Sequence, residues 1–379
     1  MGNSELRLIV LSSCKELGEK VNVHLNRMRK TDENYIVSVD EVRFGNGEGK
    51  IKINDSIRNK DVFILCDIGN HSQTYNMYGY ENHMGPDEHF MDIKRTVSAI
   101  RGHAKQISVV MPLLYESRQH KRKGRESLDC AIALQDLAAI GVKSIITFDV
   151  HDPNVQNSIP LLPFENFYPT PTILECFIEH ENINPDNILV ISPDTGAFDR
   201  ALYFANMLNT NVGVFYKRRD LTKIVNGKNP IIEHQYLGMD VANKDVLVVD
   251  DMIASGGSIL EVAQELREKN AKNIFLASTF SLFSGGLEIF REAYKKNYFS
   301  KIYTTNLSYI SEEAKKEPWL CVVDCSLYLS KIIDTLNLQK PITPLKDGKE
   351  KISKQIVKKQ EQIKKEQETE IQMSLAIGV

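Results

Sequence analysis

Two adjacent carboxylates, Asp250 and Asp251, follow the apolar run of "DVLVVDDMIASGGSI" (245–259) and precede the small-residue tract Ala254-Ser255-Gly256-Gly257-Ser258. Carboxylates accept hydrogen bonds from hydroxyls. A glycine-containing turn lets backbone N–H groups approach an anion, and a helix beginning there adds its positive end. A carboxylate pair alone would repel phosphate, so the combination suits a ligand carrying both hydroxyls and phosphate, such as a phosphorylated sugar. A helix cap and tight turn would explain the Ser and Gly residues, but not two consecutive charges after a buried strand.

For these residues to meet a ligand, a sheet must present its strand ends. Candidate strands are 6–13, 61–67, 106–113, 144–150, 187–194, 211–217, 245–251, 273–279 and 319–325, near-continuous apolar runs rich in Val and Ile. Such runs indicate strands buried on both faces, as in parallel sheets. Between them lie amphipathic helical stretches, clearest at 127–141 and 258–271. The class is therefore α/β, with ligands expected at the carboxyl ends of the strands.

The chain has 379 residues, which predicts two or three domains at roughly 100–200 residues each. The spacing divides it into 1–160, 161–335 and a tail, 336–379, with the seam marked by four prolines in "PLLPFENFYPTP" (160–171). The tail is Lys-, Glu- and Gln-rich, with Ile352, Ile356, Ile363 and Ile371 near heptad spacing. A solvated or frayed helix accounts for it better than a coiled coil of fewer than about three heptads. A net charge of -3 makes no bulk electrostatic case for nucleic acid or anionic membrane. No apolar run reaches membrane-spanning length and no signal peptide is visible, so a cytoplasmic protein is expected. The six cysteines sit mostly inside apolar runs and read as reduced core residues. Neither Cys321 and Cys325, nor His71, His83 and His89 in the 69–90 stretch, show ligand spacing, and no metal is assigned to them. The stretch itself reads as an exposed insertion near the site.

The acidic pair and its small-residue tract resemble the ligand signature of the phosphoribosyltransferase superfamily, whose ligand is phosphoribosyl pyrophosphate (PRPP). Four further segments are similar to one branch of it, the ribose-phosphate pyrophosphokinases, and the resemblance spans about residues 6 to 335. "VRFGNGEGKIKINDSIRNKDVFIL" (42–65) looks like that family's flag hairpin, with Phe44, Asn46 and Glu48 at adenine-contacting positions. Asn46 replaces the family's aspartate, and "GNGEGK" lacks the Walker pattern. "YESRQHKRKGRES" (115–127) matches an ATP-contacting stretch through Arg118 and Gln119, with His120 where the family has aspartate. "ITFDVHD" (146–152) places His151 at the position that helps hold Mg-ATP. "ISPDTGAFDRA" (191–201) is similar to the diphosphate loop. There the resemblance implies Mg²⁺ on Asp194 and the backbone of Thr195, Gly196 and Ala197 facing the diphosphate. Ala197 stands for a glycine and Asp199 for a basic residue, while Arg200 is retained. In "FYKRRDLTKIVNGKN" (215–229) the family carries a catalytic flexible loop, which assigns Lys217 and Arg219 to charge stabilisation, with Arg218 in reserve.

The resemblance implies two tandem phosphoribosyltransferase-like domains, each a mostly parallel sheet flanked by helices, with ATP on the first and ribose 5-phosphate on the second. It implies transfer of the β,γ-diphosphate of Mg-ATP to the C1 hydroxyl of ribose 5-phosphate. Asp250 and Asp251 would hold the sugar, and Ala254, Ser255, Gly256, Gly257 and Ser258 its phosphate. It further implies a homo-oligomer built from dimers, up to a hexamer, in which the flag completes a neighbour's ATP site. Two alternatives stand beside this reading. One is a regulatory homologue with little turnover, suggested by Asn46, His120, Ala197 and Asp199. The other is a phosphoribosyltransferase consuming PRPP, since many of those carry alanine where Ala254 sits and synthetases often carry an acid.

Overall fold

The structure, a computed structural model, describes residues 5–122, 124–219 and 231–362, leaving the side chains of 185, 217–219 and 231–234 outside the description. It comprises two compact units. One is Met1–Pro169 with Thr305–Glu312 and Asp324–Lys346; the other is Thr170–Thr304 with Glu313–Val323 and Asp347–Val379.

The first unit holds a parallel sheet whose strands follow in order Leu6–Val10, Asp61–Leu65, Gln106–Val110, Ser144–Phe148 and Phe164–Phe167. Asp61–Leu65 is buried throughout, as a central strand covered on both faces must be. Helices Lys15–Arg29, Pro86–Ile100 and Asp129–Ala139 alternate with these strands. The late helix Ser326–Asn337 returns to this unit, where Arg29 donates to Asp334 at 2.7 Å and to Asn337 at 2.7 Å. The hairpin expected as a flag forms as the antiparallel pair Val39–Arg43 and Gly49–Ile53. It is thus shorter and earlier than the 42–65 expected, because Asp61–Leu65 is drawn into the central sheet. The 69–90 insertion forms a second hairpin, Thr74–Met77 with Tyr80–His83. Its turn meets the first at the Tyr78 N–H, which donates to Gly45 at 2.8 Å.

One buried acid of this unit yields a pH prediction. Asp67 accepts from the Gly69 and Tyr309 N–H groups and from Ser308. Burial outweighs these bonds and pushes its carboxyl from 3.8 up to about 6. The folded chain then holds a proton that the unfolded chain has released, so stability falls as pH rises from about 4 to about 6, then levels off. The change is about 3 kcal/mol. Urea midpoints of Asp67→Asn should lack this slope; parallel profiles for the two proteins would contradict it.

The second unit's sheet runs Ile231–Leu237, Asn211–Arg219, Ile188–Ser192, Asp245–Ile253, Ile274–Ser281, Lys301–Thr305, Leu320–Val323. Ile231–Leu237 is antiparallel to Asn211–Arg219. The pairings from Asn211–Arg219 through Lys301–Thr305 are parallel. Successive side chains of a strand point to opposite faces, and two cores result. Leu189, Ile191, Val246 and Val248 pack with helix Gly257–Glu268, Phe290 and Trp319. Ile188, Val190, Leu247 and Val249 pack with helices Thr170–His180 and Phe198–Leu208. Ile188–Ser192 and Asp245–Ile253 are neighbours whose following helices lead to opposite sides of the sheet. That is a topological switch point, where open α/β sheets form a ligand crevice.

The tail departs from the solvated helix expected. Residues 349–362 are helical, and Ile352 is wholly buried in the second core with Ile356 packed against it. Gln355 donates to the Glu175 carbonyl at 3.1 Å and Lys359 to that of Glu179 at 2.8 Å. Ile352→Ala should therefore cost about 2–5 kcal/mol, read as a lower thermal midpoint; an unchanged midpoint would show the helix to be dispensable packing.

Candidate active site

At the switch point the strand Ile188–Ser192 runs into the loop 193–197. Ser192 Oγ donates to the Asp194 carbonyl at 2.6 Å. Asp194 Oδ1 accepts from the Gly196 and Ala197 N–H groups at 2.8 and 3.1 Å. Two of the three amides expected to face a diphosphate are thus donated to this carboxylate. Ala197 has φ -90°, an ordinary conformation, so alanine in place of the family's glycine is accommodated without strain. It precedes helix Phe198–Leu208, which carries Arg200.

The neighbouring strand does not end at the acids: pairing continues through Met252 and Ile253. Asp250 and Asp251 thus stand on consecutive positions near the end of this strand, both within reach of one arginine. Arg200 Nη1 lies 3.8 Å from Asp250 Oδ1 and 3.9 Å from Asp251 Oδ1. The Asp251 N–H donates to Asp250 Oδ1 at 2.9 Å. Burial, and then the charge of Asp251, hold the Asp250 carboxyl well above its ordinary range, with Arg200 opposing.

The turn that follows is fixed by glycine. Gly256 has φ +91°, and a Cβ there would fall 2.2 Å from Phe290 Cζ; Gly257 faces open space. Ser255, Gly257 and Ser258 are exposed while Gly256 is buried. Ser284 N–H holds the Ala254 carbonyl at 3.0 Å. Helix Gly257–Glu268 begins at once, so its first N–H groups, which have no intrahelical partner, meet the exposed rim.

In the first unit, neighbouring strands Gln106–Val110 and Ser144–Phe148 deliver a second group. Asp149 bends the chain with φ +42° and His151 follows, exposed. Its ring centroid is 5.3 Å from that of His120. His120 Nε2 is 3.2 Å from Asp152 Oδ2, and its Nδ1 is 3.2 Å from the Ser117 carbonyl. Burial lowers the His120 pKa, and Asp152 opposes that. Gln119 Nε2 donates to the Ser127 carbonyl at 2.8 Å, and Arg118 is exposed. The structure thus adds His120 and Asp152 to Arg118, Gln119 and His151. His120 registers in the sequence only as a departure, and Asp152 carries no separate signal.

At the hairpin tip Phe44 is 48% exposed. Asn46 Nδ2 donates to Glu48 Oε2 at 2.9 Å, a bond that an aspartate at 46 could not make. The Lys217 and Arg219 side chains, and residues 220–230, lie outside the described residues. Their backbone is within strand Asn211–Arg219, with a register shift between Arg218 and Arg219. His71, His83 and His89 are engaged separately. His71 packs edge-on to Tyr309, and the other two bond the carbonyls of His71 and Asn70.

The donor set fits Mg²⁺. Three carboxylates, Asp194, Asp250 and Asp251, share this rim, and burial, followed by the charge of Asp251, raises the proton affinity of Asp250. Mg²⁺ takes one or two carboxylates together with substrate phosphates and keeps several waters, so no complete protein cage is needed.

Known proteins bear on this arrangement directly. Residues 6–141 match the family model described as the N-terminal domain of ribose phosphate pyrophosphokinase, and residues 176–316 that of the phosphoribosyl transferase domain. The chain is 27% identical over 308 residues to a ribose-phosphate pyrophosphokinase of Buchnera aphidicola, covering 80% of this chain and 89% of that one. It is 26% identical over 352 residues to that of Haemophilus influenzae, covering 90% and 99%. The fold is similar to a phosphoribosylpyrophosphate synthetase from Mycobacterium smegmatis, with a TM-score of 0.72 at 22% identity, covering 88% of this chain and 99% of that one. Fold and site define tandem phosphoribosyltransferase-type α/β domains. The chain belongs to the ribose-phosphate pyrophosphokinase family.

Proposed function

We propose that the protein transfers the β,γ-diphosphate of Mg-ATP to ribose 5-phosphate, giving PRPP and AMP. The observation that carries this is the Asp250-Asp251 pair beside an exposed helix N-terminus at the sheet's switch point. The carboxylates bind the ribose hydroxyls, and residues 254–258 bind the 5-phosphate through N–H groups and the Ser255 and Ser258 hydroxyls. The sugar's C1 oxygen attacks the β-phosphorus. The bond from that phosphorus to the α,β-bridging oxygen breaks, AMP departs, and the C1 hydroxyl proton passes to solvent. Mg²⁺, when bound, neutralises charge on the phosphate oxygens and aligns them. Asp194 on the second unit and His151 on the first are each assigned a metal-facing role within its own unit.

Phe44, Asn46, Glu48, Arg118 and Gln119 receive the nucleotide, and His120 and Asp152 fix the orientation of the His151 segment. Lys217 and Arg219 supply positive charge as the diphosphate moves. Such a transfer asks little covalent chemistry of the protein; it asks for alignment and charge compensation. We read the protein as cytoplasmic and homo-oligomeric, with the exposed Phe44 tip seated on a neighbouring copy.

With ATP, Mg²⁺ and ribose 5-phosphate the chain should release AMP in step with sugar consumed. A phosphoribosyltransferase would release none, and the regulatory homologue suggested by Asn46, His120, Ala197 and Asp199 would release it only at trace rates.

A further inference from the structure

A second cluster of chemistry-bearing side chains lies at the far edge of the second unit's sheet. Cys176 and His180 are one turn apart on helix Thr170–His180, so they share a face. Cys321 comes from edge strand Leu320–Val323. Cys176 Sγ is 3.6 Å from Cys321 Sγ and 3.5 Å from His180 Nδ1, and ligand atoms of the three lie within 4.8 Å of one another. Among the described residues this is the group of three His, Cys, Asp or Glu side chains that could converge on one ion.

The spacing has a chemical meaning. A tetrahedral zinc ion with Zn–S of about 2.3 Å and Zn–N of about 2.0 Å separates two sulfurs by about 3.8 Å, and sulfur from nitrogen by about 3.5 Å. The Cys176–Cys321 and Cys176–His180 distances match within a few tenths of an ångström. Oxygen-seeking Mg²⁺ is a poor occupant of two sulfurs and an imidazole; zinc and other thiophilic divalent ions are good ones. The two cysteines are partly buried and His180 is exposed, which leaves the fourth position open to water. The cluster shares no residue with the candidate active site. Three strand spacings separate Leu320–Val323 from Asp245–Ile253, about 14 Å at roughly 4.8 Å each.

We propose that Cys176, His180 and Cys321 form a zinc-class site, with water as fourth ligand, that ties helix Thr170–His180 to the sheet's edge strand. Binding releases the two thiol protons. It also turns His180 Nδ1 from the Cys176 carbonyl, which it contacts at 2.8 Å, to the metal, with the ring proton on Nε2. The tail helix rests on the same helix through Gln355 and Lys359, so a filled site would also brace the tail.

The test is titration of the reduced, untagged full chain with Zn²⁺, and separately with Co²⁺, in excess Mg²⁺. One equivalent should bind, cobalt should show thiolate charge-transfer absorption, and Zn²⁺ should raise the thermal midpoint. Cys176→Ser and Cys321→Ser should each weaken binding by more than about 100-fold, and His180→Ala should weaken it too, with metal-free melting close to the parent's. Because the cobalt signature is read on the parent chain as well, a variant that fails to fold does not rescue the idea. A parent dissociation constant weaker than about 1 µM, or no thiolate signature, overturns the proposal. So does a Cys176–Cys321 disulfide formed in air by a chain that binds no zinc when reduced.

Discussion

Lys217→Ala is expected to lower kcat by about 100- to 1000-fold, the range seen when one preorganised donor to a developing charge is lost. The KM for ribose 5-phosphate should change little, because the proposed sugar site, Asp250, Asp251 and residues 254–258, lies elsewhere. Charge builds on the transferring diphosphate, and the carboxylates of this rim are of the wrong sign to meet it. Lys217 and Arg219 stand at the end of a strand that belongs to a hairpin, paired with His234 and Ile231, so the thermal midpoint is expected to stay put. Lys217→Arg should restore part of the rate by keeping the charge. Turnover of Lys217→Ala equal to the parent's would remove this residue from the mechanism.

Gly256→Ala is the second large effect, and its readout is stability. At φ +91° any side chain is strained, and the added Cβ would lie 2.2, 2.8 and 2.9 Å from three atoms of the Phe290 ring. That ring has no room to retreat. It is wholly buried, stacks on Trp319 at 5.7 Å and meets Phe283 edge-on at 5.0 Å. Strain and overpacking together cost about 2–5 kcal/mol, and the shifted turn should raise the KM for ribose 5-phosphate at least tenfold. Gly257→Ala is the matched control. Its Cβ meets nothing, so the midpoint should hold, and only a ligand approaching that backbone would raise KM. Equal thermal midpoints for Gly256→Ala and the parent would contradict the packing argument.

Much of the architecture was legible because it is written in short, local apolar runs. The nine runs read as strands are strands, and Asp194 and Asp250-Asp251 lie at the rim of the sheet they were read to serve. What escaped depends on distant partners. Phe164–Phe167 and Lys301–Thr305 are short and partly polar, and they become strands through the neighbours they pair with. Helix Ser326–Asn337 joins the first unit through partners about 300 residues away in sequence, a separation no local pattern reports. The tail looked solvated because Lys, Glu and Gln outnumber its isoleucines, yet Ile352 and Ile356 pack on the second core and Gln355 and Lys359 bond helix Thr170–His180. The strand carrying the acids runs two residues further than the charges suggested, because its neighbour continues to pair. Cys176 and Cys321, unremarkable 145 positions apart, meet only once the edge strand reaches the helix.

The measurement that tests the account's central claim most directly is the fate of an ¹⁸O label on the C1 hydroxyl of ribose 5-phosphate, incubated with ATP, Mg²⁺ and the protein. Attack of that oxygen on the β-phosphorus predicts labelled PRPP, with ¹⁸O bridging C1 and the β-phosphorus, and unlabelled AMP in equal amount. Label in AMP, ADP as the nucleotide product, or loss of the C1 oxygen from the sugar would contradict it.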